Sequence, residues 1–187
     1  MKKLLPGTAT AIVQMMLVLG FAGPARAALD VGRAAPMFST QAALGGKPFE
    51  YALADALAKG PVVVYFFPAA FSKGCSIEAH AFAEAMDRFA AAGATVIGVS
   101  TDDIQTLAKF SSEVCQGRFP VASDESKSIS QSFDAMMETR PDYATRVSYA
   151  LSRDGKVAAV YQSLDPDLHV EKMLEAVKSM SPGRAGK

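Results

Sequence analysis

The sequence is short of the residues from which several classes of protein are built. Among 187 residues there are two cysteines, two histidines and no tryptophan. Two cysteines are too few for a disulfide-rich scaffold, and together with two histidines they argue against a structural zinc site. An excess of one charge is also absent, because 19 Lys and Arg balance 19 Asp and Glu. We therefore expect no metal, no cofactor and no nucleic-acid partner.

What remains is the composition of an ordinary globular protein. Half of the residues are hydrophobic and a fifth are charged, as in average soluble domains. A chain of this length can bury one sizeable core and leave roughly 25 to 30 residues outside it. We therefore expect a single compact domain.

The first 27 residues have the pattern of a secretory signal peptide. A basic start at Lys2 and Lys3 is followed by an apolar run over residues 9–23 and by small residues around Ala27, which predicts cleavage after Ala27. A membrane anchor is the alternative, but the run is shorter than the ~20 apolar residues that a bilayer requires. We expect a mature domain of residues 28–187, periplasmic or secreted in a bacterial envelope and free of the membrane. Such a compartment is oxidising.

Strands and helices are predicted to alternate along the mature chain. Continuous apolar runs at residues 61–68 and 94–100 predict two central strands. Apolar residues at helical spacing between them predict a helix over 76–92, with Gly93 at its C-terminal end. Strand, helix and strand in this order form a parallel, right-handed crossover.

The rest of the chain is predicted to supply three helices, a hairpin and an N-terminal extension. The extension, residues 29–60, holds a short hairpin and a helix. The other predicted elements are a helix from the Asp102-Asp103 cap to about Cys115, a weaker helix over 126–136, strands over 147–151 and 156–161, and a last helix over 165–179. This order predicts an α/β, thioredoxin-like fold: a mixed central sheet flanked by helices, with the N-terminal extension.

Cys75 is the residue with the strongest chemical potential. It is predicted to lie at the carboxyl end of the first central strand and in the first turn of the following helix. Free backbone N–H groups and the positive end of the helix dipole both favour a thiolate there. Ser72, three residues earlier, can place a hydroxyl beside the sulfur. The alternative is that Cys75 is a small buried hydrophobic residue, as most free cysteines are.

The segment from Pro68 to Cys75 reads Pro-x-x-x-Ser-x-x-Cys. It resembles the active-site signature of the peroxiredoxins, Pro-x-x-x-Thr/Ser-x-x-Cys, and it stands between a predicted strand and a predicted helix. The wider string Phe-Phe-Pro-x-x-x-Ser-x-Gly-Cys-Ser-x-Glu is most similar to the bacterioferritin-comigratory-protein branch, also called peroxiredoxin Q. The resemblance therefore points to one branch of the family.

Three further segments agree with this resemblance, which covers nearly the whole mature chain. Residues 29–38 resemble the opening Val-Gly-x-x-Ala-Pro-x-Phe of the family, and residues 96–100 match its second core strand. Arg146, just before the predicted strand 147–151, matches the active-site arginine of the family. Taken alone, Arg146 has a surface ion pair with Asp142 or Asp154 as its alternative.

The resemblance implies a thiol-dependent peroxidase that reduces hydrogen peroxide or organic hydroperoxides. The Cys75 thiolate would attack the O–O bond and become a sulfenic acid. Arg146 would hold the thiolate charge and polarise the peroxide. The Ser72 hydroxyl would hydrogen-bond peroxide and sulfur, the backbone N–H of Cys75 would hold the attacked oxygen, and Pro68 would limit the access of water.

The chain departs from the family pattern at three positions. Ser72 replaces the commoner Thr, Lys73 replaces Pro, and His80 occupies the position of the resolving cysteine found in many members of the branch. His80 is predicted to pair with Glu84 on the polar face of the helix, at i,i+4 spacing. We assign no role to His169.

Cys115 is the only other sulfur that could resolve a sulfenic acid on Cys75. Some members of the branch carry their resolving cysteine in the equivalent helix, and Cys115 resembles that placement. The alternative is a thiol that fills the core, with Cys75 reduced directly by a small thiol. The implied partners are a hydroperoxide and a thioredoxin-like or small-thiol reductant, and the branch is mostly monomeric.

Two other functions remain open on this scaffold. A thiol–disulfide carrier would share the fold and the compartment, but it normally requires Cys-x-x-Cys. The positions three before and three after Cys75 are Ser72 and Glu78. A non-enzymatic holdase is the second alternative, and nothing in the sequence singles it out.

Overall fold

The computed structural model describes residues 28–180. The predicted signal peptide, residues 1–27, lies outside the described residues. Within residues 28–180, no helix is long and apolar enough to cross a membrane.

A seven-stranded mixed sheet forms the centre of the molecule, with the strand order β2-β1-β5-β4-β3-β6-β7. The three central strands β5, β4 and β3 run parallel, and every other neighbouring pair is antiparallel. The strands are β1 Ser39–Leu44, β2 Lys47–Ala52, β3 Val62–Phe66, β4 Thr95–Ser100, β5 Val121–Ser123, β6 Val147–Leu151 and β7 Val157–Gln162.

Within residues 28–180, five helices cover the two faces of this sheet. They are α1 Leu53–Leu57, α2 Lys73–Ala91, α3 Ile104–Glu113, α4 Ser128–Ser132 and α5 His169–Met180. Along β3 the side chains alternate, as in any strand. Val63 and Tyr65 belong to a core cluster that includes α2, α3 and α5, whereas Val64 and Phe66 belong to the cluster that includes α1 and α4. Both faces are therefore buried, which explains why β3 is apolar at every position.

The sequence signals that end and begin helices act as predicted. Gly93 follows α2 with φ +73, a conformation that favours glycine. Asp103 is the N-cap of α3, and its carboxylate accepts a hydrogen bond from the backbone N–H of Thr106 at 2.8 Å. The N-terminal extension forms the predicted hairpin, β1 and β2, and the predicted helix α1.

Several predicted boundaries were wrong, and one strand was missed. Strand β5 was not predicted, because it is only Val121–Ser123 and is too short to show a period of two. The helix predicted over 126–136 is reduced to Ser128–Ser132, and the last helix begins at His169 rather than near residue 165. Cys115 lies two residues beyond the end of α3 instead of within it.

Candidate active site

Cys75 lies at the start of helix α2, which follows strand β3 along the chain. It is the third residue of α2 and is 1% exposed, so the predicted position in the first helical turn is confirmed. The preceding Phe71 has φ 61, which is unfavourable for a bulky side chain. Its ring packs edge-on against Phe110 at 5.3 Å between centroids, and this contact holds the turn that leads into α2.

Arg146 reaches Cys75 from the neighbouring strand. Because β6 pairs with β3 so that Val147 lies opposite Phe66, the residue just before β6 stands at the carboxyl end of β3. The guanidinium Nη2 donates to the Cys75 sulfur at 3.4 Å, and Nε donates to the carbonyl oxygen of Leu164 at 3.1 Å. A buried cation therefore faces the sulfur directly.

The alternative of a surface ion pair for Arg146 was wrong. Asp142 pairs with Lys127 at 2.5 Å, and Asp154 pairs with Lys156 at 3.2 Å. Arg146 instead pairs with Glu78, through Nη1 and Oε2, below the protein surface.

Glu78 is a residue of this site that the sequence reasoning missed. It lies one helical turn after Cys75, and its side chain is completely buried. Burial raises the pKa of Glu78 to about 7, against the lowering effect of Arg146. The available signals were its i,i+3 spacing from Cys75 and its place in the Cys-Ser-x-Glu string.

Four of the five predicted site residues meet around one pocket of about 480 Å³. Pro68, Ser72, Cys75 and Arg146 all line it. The Ser72 hydroxyl is exposed and donates to the carbonyl oxygen of Ala69 at 3.0 Å. It does not cap helix α2, so it can turn toward a molecule in the pocket. The remaining wall is Ala69, Met137, Thr139, Arg140, Tyr143 and Leu164.

Cys115 is not among the residues that line this pocket. Both thiols are free and buried, and both belong to the same core cluster. Burial raises the pKa of Cys115 to about 12, so its thiol stays protonated in this fold. Its backbone is fixed by N–H donation to the Phe110 carbonyl at 3.1 Å.

The two histidines differ sharply in environment. His80 is exposed and lies 3.2 Å from Glu84, which confirms the predicted i,i+4 pair. His169 is fully buried and contacts Ser148 and Ser163. In the part of the chain that the structure describes, no group of three or more His, Cys, Asp or Glu residues could hold a metal ion.

Known proteins are similar to this chain in sequence and in architecture. A model of the AhpC/TSA family matches residues 31–160. The chloroplastic peroxiredoxin Q of Suaeda salsa is 32% identical over 121 residues, which are 64% of this chain and 56% of that protein. This chain therefore spans little more than half the length of that relative.

Two solved structures support the same assignment. Peroxidoxin BcpB from Mycobacterium tuberculosis superposes with a TM-score of 0.72 at 28% identity, covering 80% of this chain and 97% of that one. Peroxiredoxin Q of Xanthomonas campestris gives a TM-score of 0.65 at 26% identity, with 75% and 90% covered. These matches confirm the predicted thioredoxin-like fold.

Proposed function

Because the chain belongs to the AhpC/TSA family, we propose that it is a thiol-dependent peroxidase with Cys75 as its nucleophile. The observation that carries the proposal is the contact of the Arg146 guanidinium with the Cys75 sulfur, 3.4 Å long, at the wall of an open pocket. A buried cation favours the thiolate, which is the reactive form of cysteine.

In the proposed reaction the thiolate attacks one oxygen of a hydroperoxide. The S–O bond forms as the O–O bond breaks, Cys75 becomes a sulfenic acid, and the departing alkoxide or hydroxide takes up one proton. Arg146 stabilises the thiolate and then the charge that develops on the departing oxygen. The Ser72 hydroxyl turns from the Ala69 carbonyl to the peroxide, and Pro68 closes one side of the pocket to water.

Consumption of peroxide tests this proposal against the two other functions. The purified protein, supplied with dithiothreitol, is expected to remove hydrogen peroxide or tert-butyl hydroperoxide catalytically, many equivalents for each protein molecule. A thiol–disulfide carrier or a holdase would not raise the rate of peroxide loss above that of buffer with dithiothreitol. A rate equal to that background would therefore contradict the peroxidase.

We further propose that Cys115 resolves the sulfenic acid by forming a disulfide with Cys75 within one monomer. A disulfide requires Cα atoms within about 7 Å, and we expect the buried Cys115 to leave its packed position to attack. The segment just after it supports such an opening, because Gln116 and Gly117 both adopt positive φ, 54 and 63. Both follow the end of α3, where local unfolding costs least.

Replacing Cys115 by serine is expected to trap the oxidised enzyme. One equivalent of peroxide should remove both thiols in the wild type, which then runs as a monomer on a non-reducing gel. In Cys115→Ser the reaction should stop at sulfenic acid, or proceed to sulfinic acid with excess peroxide. Mass spectrometry measures both products. A Cys75–Cys75 link between two chains, or a stable sulfenic acid in the wild type, would show that Cys115 is not the resolving residue.

The proposed compartment is the periplasm, or the medium, of a bacterial cell. The support is the basic and apolar pattern of residues 1–27 and the small residues around Ala27. The expected product of export is a chain that begins at Ala28. N-terminal sequencing of the protein recovered from cell fractions measures this, and an intact Met1 in the cytosol would contradict export.

A further inference from the structure

A chain of buried polar contacts continues from Arg146 into the core. Glu78 and His169 are both fully buried, and neither lines the pocket. Glu78 accepts from Arg146 through Oε2. Its second oxygen, Oε1, has no hydrogen-bond partner among residues 28–180 and lies 3.5 Å from Nδ1 of His169. A buried carboxylate oxygen without a donor lowers the stability of the fold, so a hydrogen in this contact would be favourable.

The hydrogen bonds of His169 show which ring nitrogen faces Glu78. Nε2 lies 3.0 Å from the carbonyl oxygen of Ser163, which can only accept, so Nε2 carries hydrogen. Nδ1 lies 2.8 Å from the Ser148 hydroxyl. If the imidazole is neutral and Glu78 is ionised, the Ser148 hydroxyl donates to Nδ1, and Oε1 of Glu78 is left without a donor across the 3.5 Å gap. One proton shared between Oε1 and Nδ1 gives Oε1 the partner that it lacks.

The balance of buried charges also favours a proton held between Glu78 and His169. Arg146 is the cation that contacts both Cys75 and Glu78. When Cys75 is a thiol, an ionised Glu78 neutralises Arg146. When Cys75 is a thiolate, an ionised Glu78 would leave one uncompensated negative charge in the core, which is strongly unfavourable. A proton held beside Glu78 restores neutrality.

Three further titratable groups face the Glu78–His169 pair. Tyr65 faces the cluster from β3, and burial raises its pKa well above the usual value, so it stays neutral. Tyr161 presents its ring edge-on to His169 from β7, at 4.8 Å between centroids. Burial is the largest influence on the pKa of His169 and lowers it; Arg146 also lowers it, and Asp165, in the loop before α5, acts in the opposite direction.

We propose that Glu78 and His169 are positioning residues that together hold one proton when Cys75 is a thiolate, and so leave the charge of Arg146 to the sulfur. The exchange is balanced: the Cys75 thiol loses a proton, and the Glu78–His169 pair gains one. After attack on a peroxide the sulfenic acid is uncharged. The pair then loses its proton, which balances the one that the departing alkoxide takes up.

The electrostatic environment supports this assignment. Burial raises the pKa of Glu78 to about 7 and lowers the pKa of His169 to about 4. Both shifts favour uncharged groups, a carboxylic acid beside a neutral imidazole. That combination is the protonated form of the pair, and it is accessible near neutral pH.

The rate of Cys75 alkylation by iodoacetamide between pH 5 and pH 9 tests the inference, in the Cys115→Ser protein as parent. The proposal rests on the function given above, but this readout reports the thiolate without any peroxide. The parent is expected to show two steps, because two coupled groups share the titration. Glu78→Gln is expected to show one step and faster alkylation at pH 7.

The histidine is tested by a double-mutant cycle. His169→Gln keeps a donor for the Ser163 carbonyl but removes the nitrogen that faces Glu78. Added to the parent, it should slow alkylation at pH 7 by about tenfold, the effect of one pH unit in thiolate formation. Added to Glu78→Gln, it should change the rate less than about twofold. His80→Gln, at the exposed histidine, should change neither profile.

Two results would overturn the proton-holding role. One is an equal loss from His169→Gln in both backgrounds, which indicates packing alone. The other is a pH profile of alkylation with a single step in the parent. That result needs only the parent and Glu78→Gln, so it can be obtained even if His169→Gln does not fold. A protein that shows the coupling but consumes no peroxide would instead disprove the proposed function and leave the proton-holding pair intact.

Discussion

Replacing Cys75 by serine is expected to abolish peroxide consumption without unfolding the protein. A serine hydroxyl is not ionised at neutral pH and cannot attack the O–O bond, so the rate should fall to that of buffer with reductant. The side chains are nearly the same size, and the buried hydroxyl can accept from Arg146 as the sulfur does. The cost in unfolding free energy should therefore stay near 1 kcal/mol.

Peroxide loss and thermal unfolding, measured on the same preparation, check both parts of this prediction. Cys115→Ser is the matched control, because it removes the other buried thiol. It should retain the first, stoichiometric reaction with peroxide. A Cys75→Ser protein that consumes peroxide at the wild-type rate would place the chemistry elsewhere in the chain.

The fold could be predicted well where the sequence pattern is long. Strands β3 and β4 are apolar runs bounded by clear breakers, and β6 and β7 are joined by an Asp-Gly turn, so their positions agree closely with the structure. Strand β5 has only three residues and is defined by its pairing with β4 and β1. Such pairing between distant segments leaves no periodic signal in a single sequence.

The residues of the site differ in the same way, because some are close in sequence and one is brought to the site by strand pairing. Pro68, Ser72 and Cys75 lie within eight residues, so the strand-to-helix turn alone brings them to one pocket. Arg146 joins them only through the antiparallel pairing of β6 with β3. The local sequence does not show this pairing, and Arg146 was placed at the site by its match to the arginine of the family. The peroxidatic role of Cys75, like the export signal, stays a prediction.

The buried acid and histidine were beyond sequence reasoning for a physical reason. Glu78 is a charged helical residue two positions before the exposed His80, and a charged residue in a helix is normally expected on the solvent-facing side. His169 was expected in the first turn of the last helix, and its burial against Ser148 depends on the packing of α5 on the sheet. Burial of a polar residue is a property of tertiary packing, and such residues mark where function overrides local pattern.

Replacing Arg146 by glutamine is expected to slow peroxide reduction by about 1,000-fold. Two losses combine: the thiolate of Cys75 loses its cationic partner, worth about tenfold or more, and the departing oxygen loses a charged donor, worth about 100-fold for a single donor in comparable sites. Alkylation of Cys75 by iodoacetamide at pH 7 should slow by about tenfold, because less of the thiolate is present without its cationic partner. Arg153→Gln is the control, since Arg153 is exposed and donates to the Ala58 carbonyl.

The same variant should lose stability in a pH-dependent way. The pKa of Glu78 is raised to about 7 in the folded wild type, so burying its ionised form already lowers stability as pH rises from about 4.5 through 7. Without Arg146 the carboxylate loses the interaction that lowers its pKa, and each further unit costs about 1.4 kcal/mol at pH above the folded value. Thermal unfolding of Arg146→Gln should therefore match the wild type more closely at pH 5 than at pH 8. An equal loss of thermal stability at pH 5 and pH 8 would mean that the charge of Glu78 does not depend on Arg146. Unchanged peroxide kinetics in Arg146→Gln would remove Arg146 from the proposed mechanism.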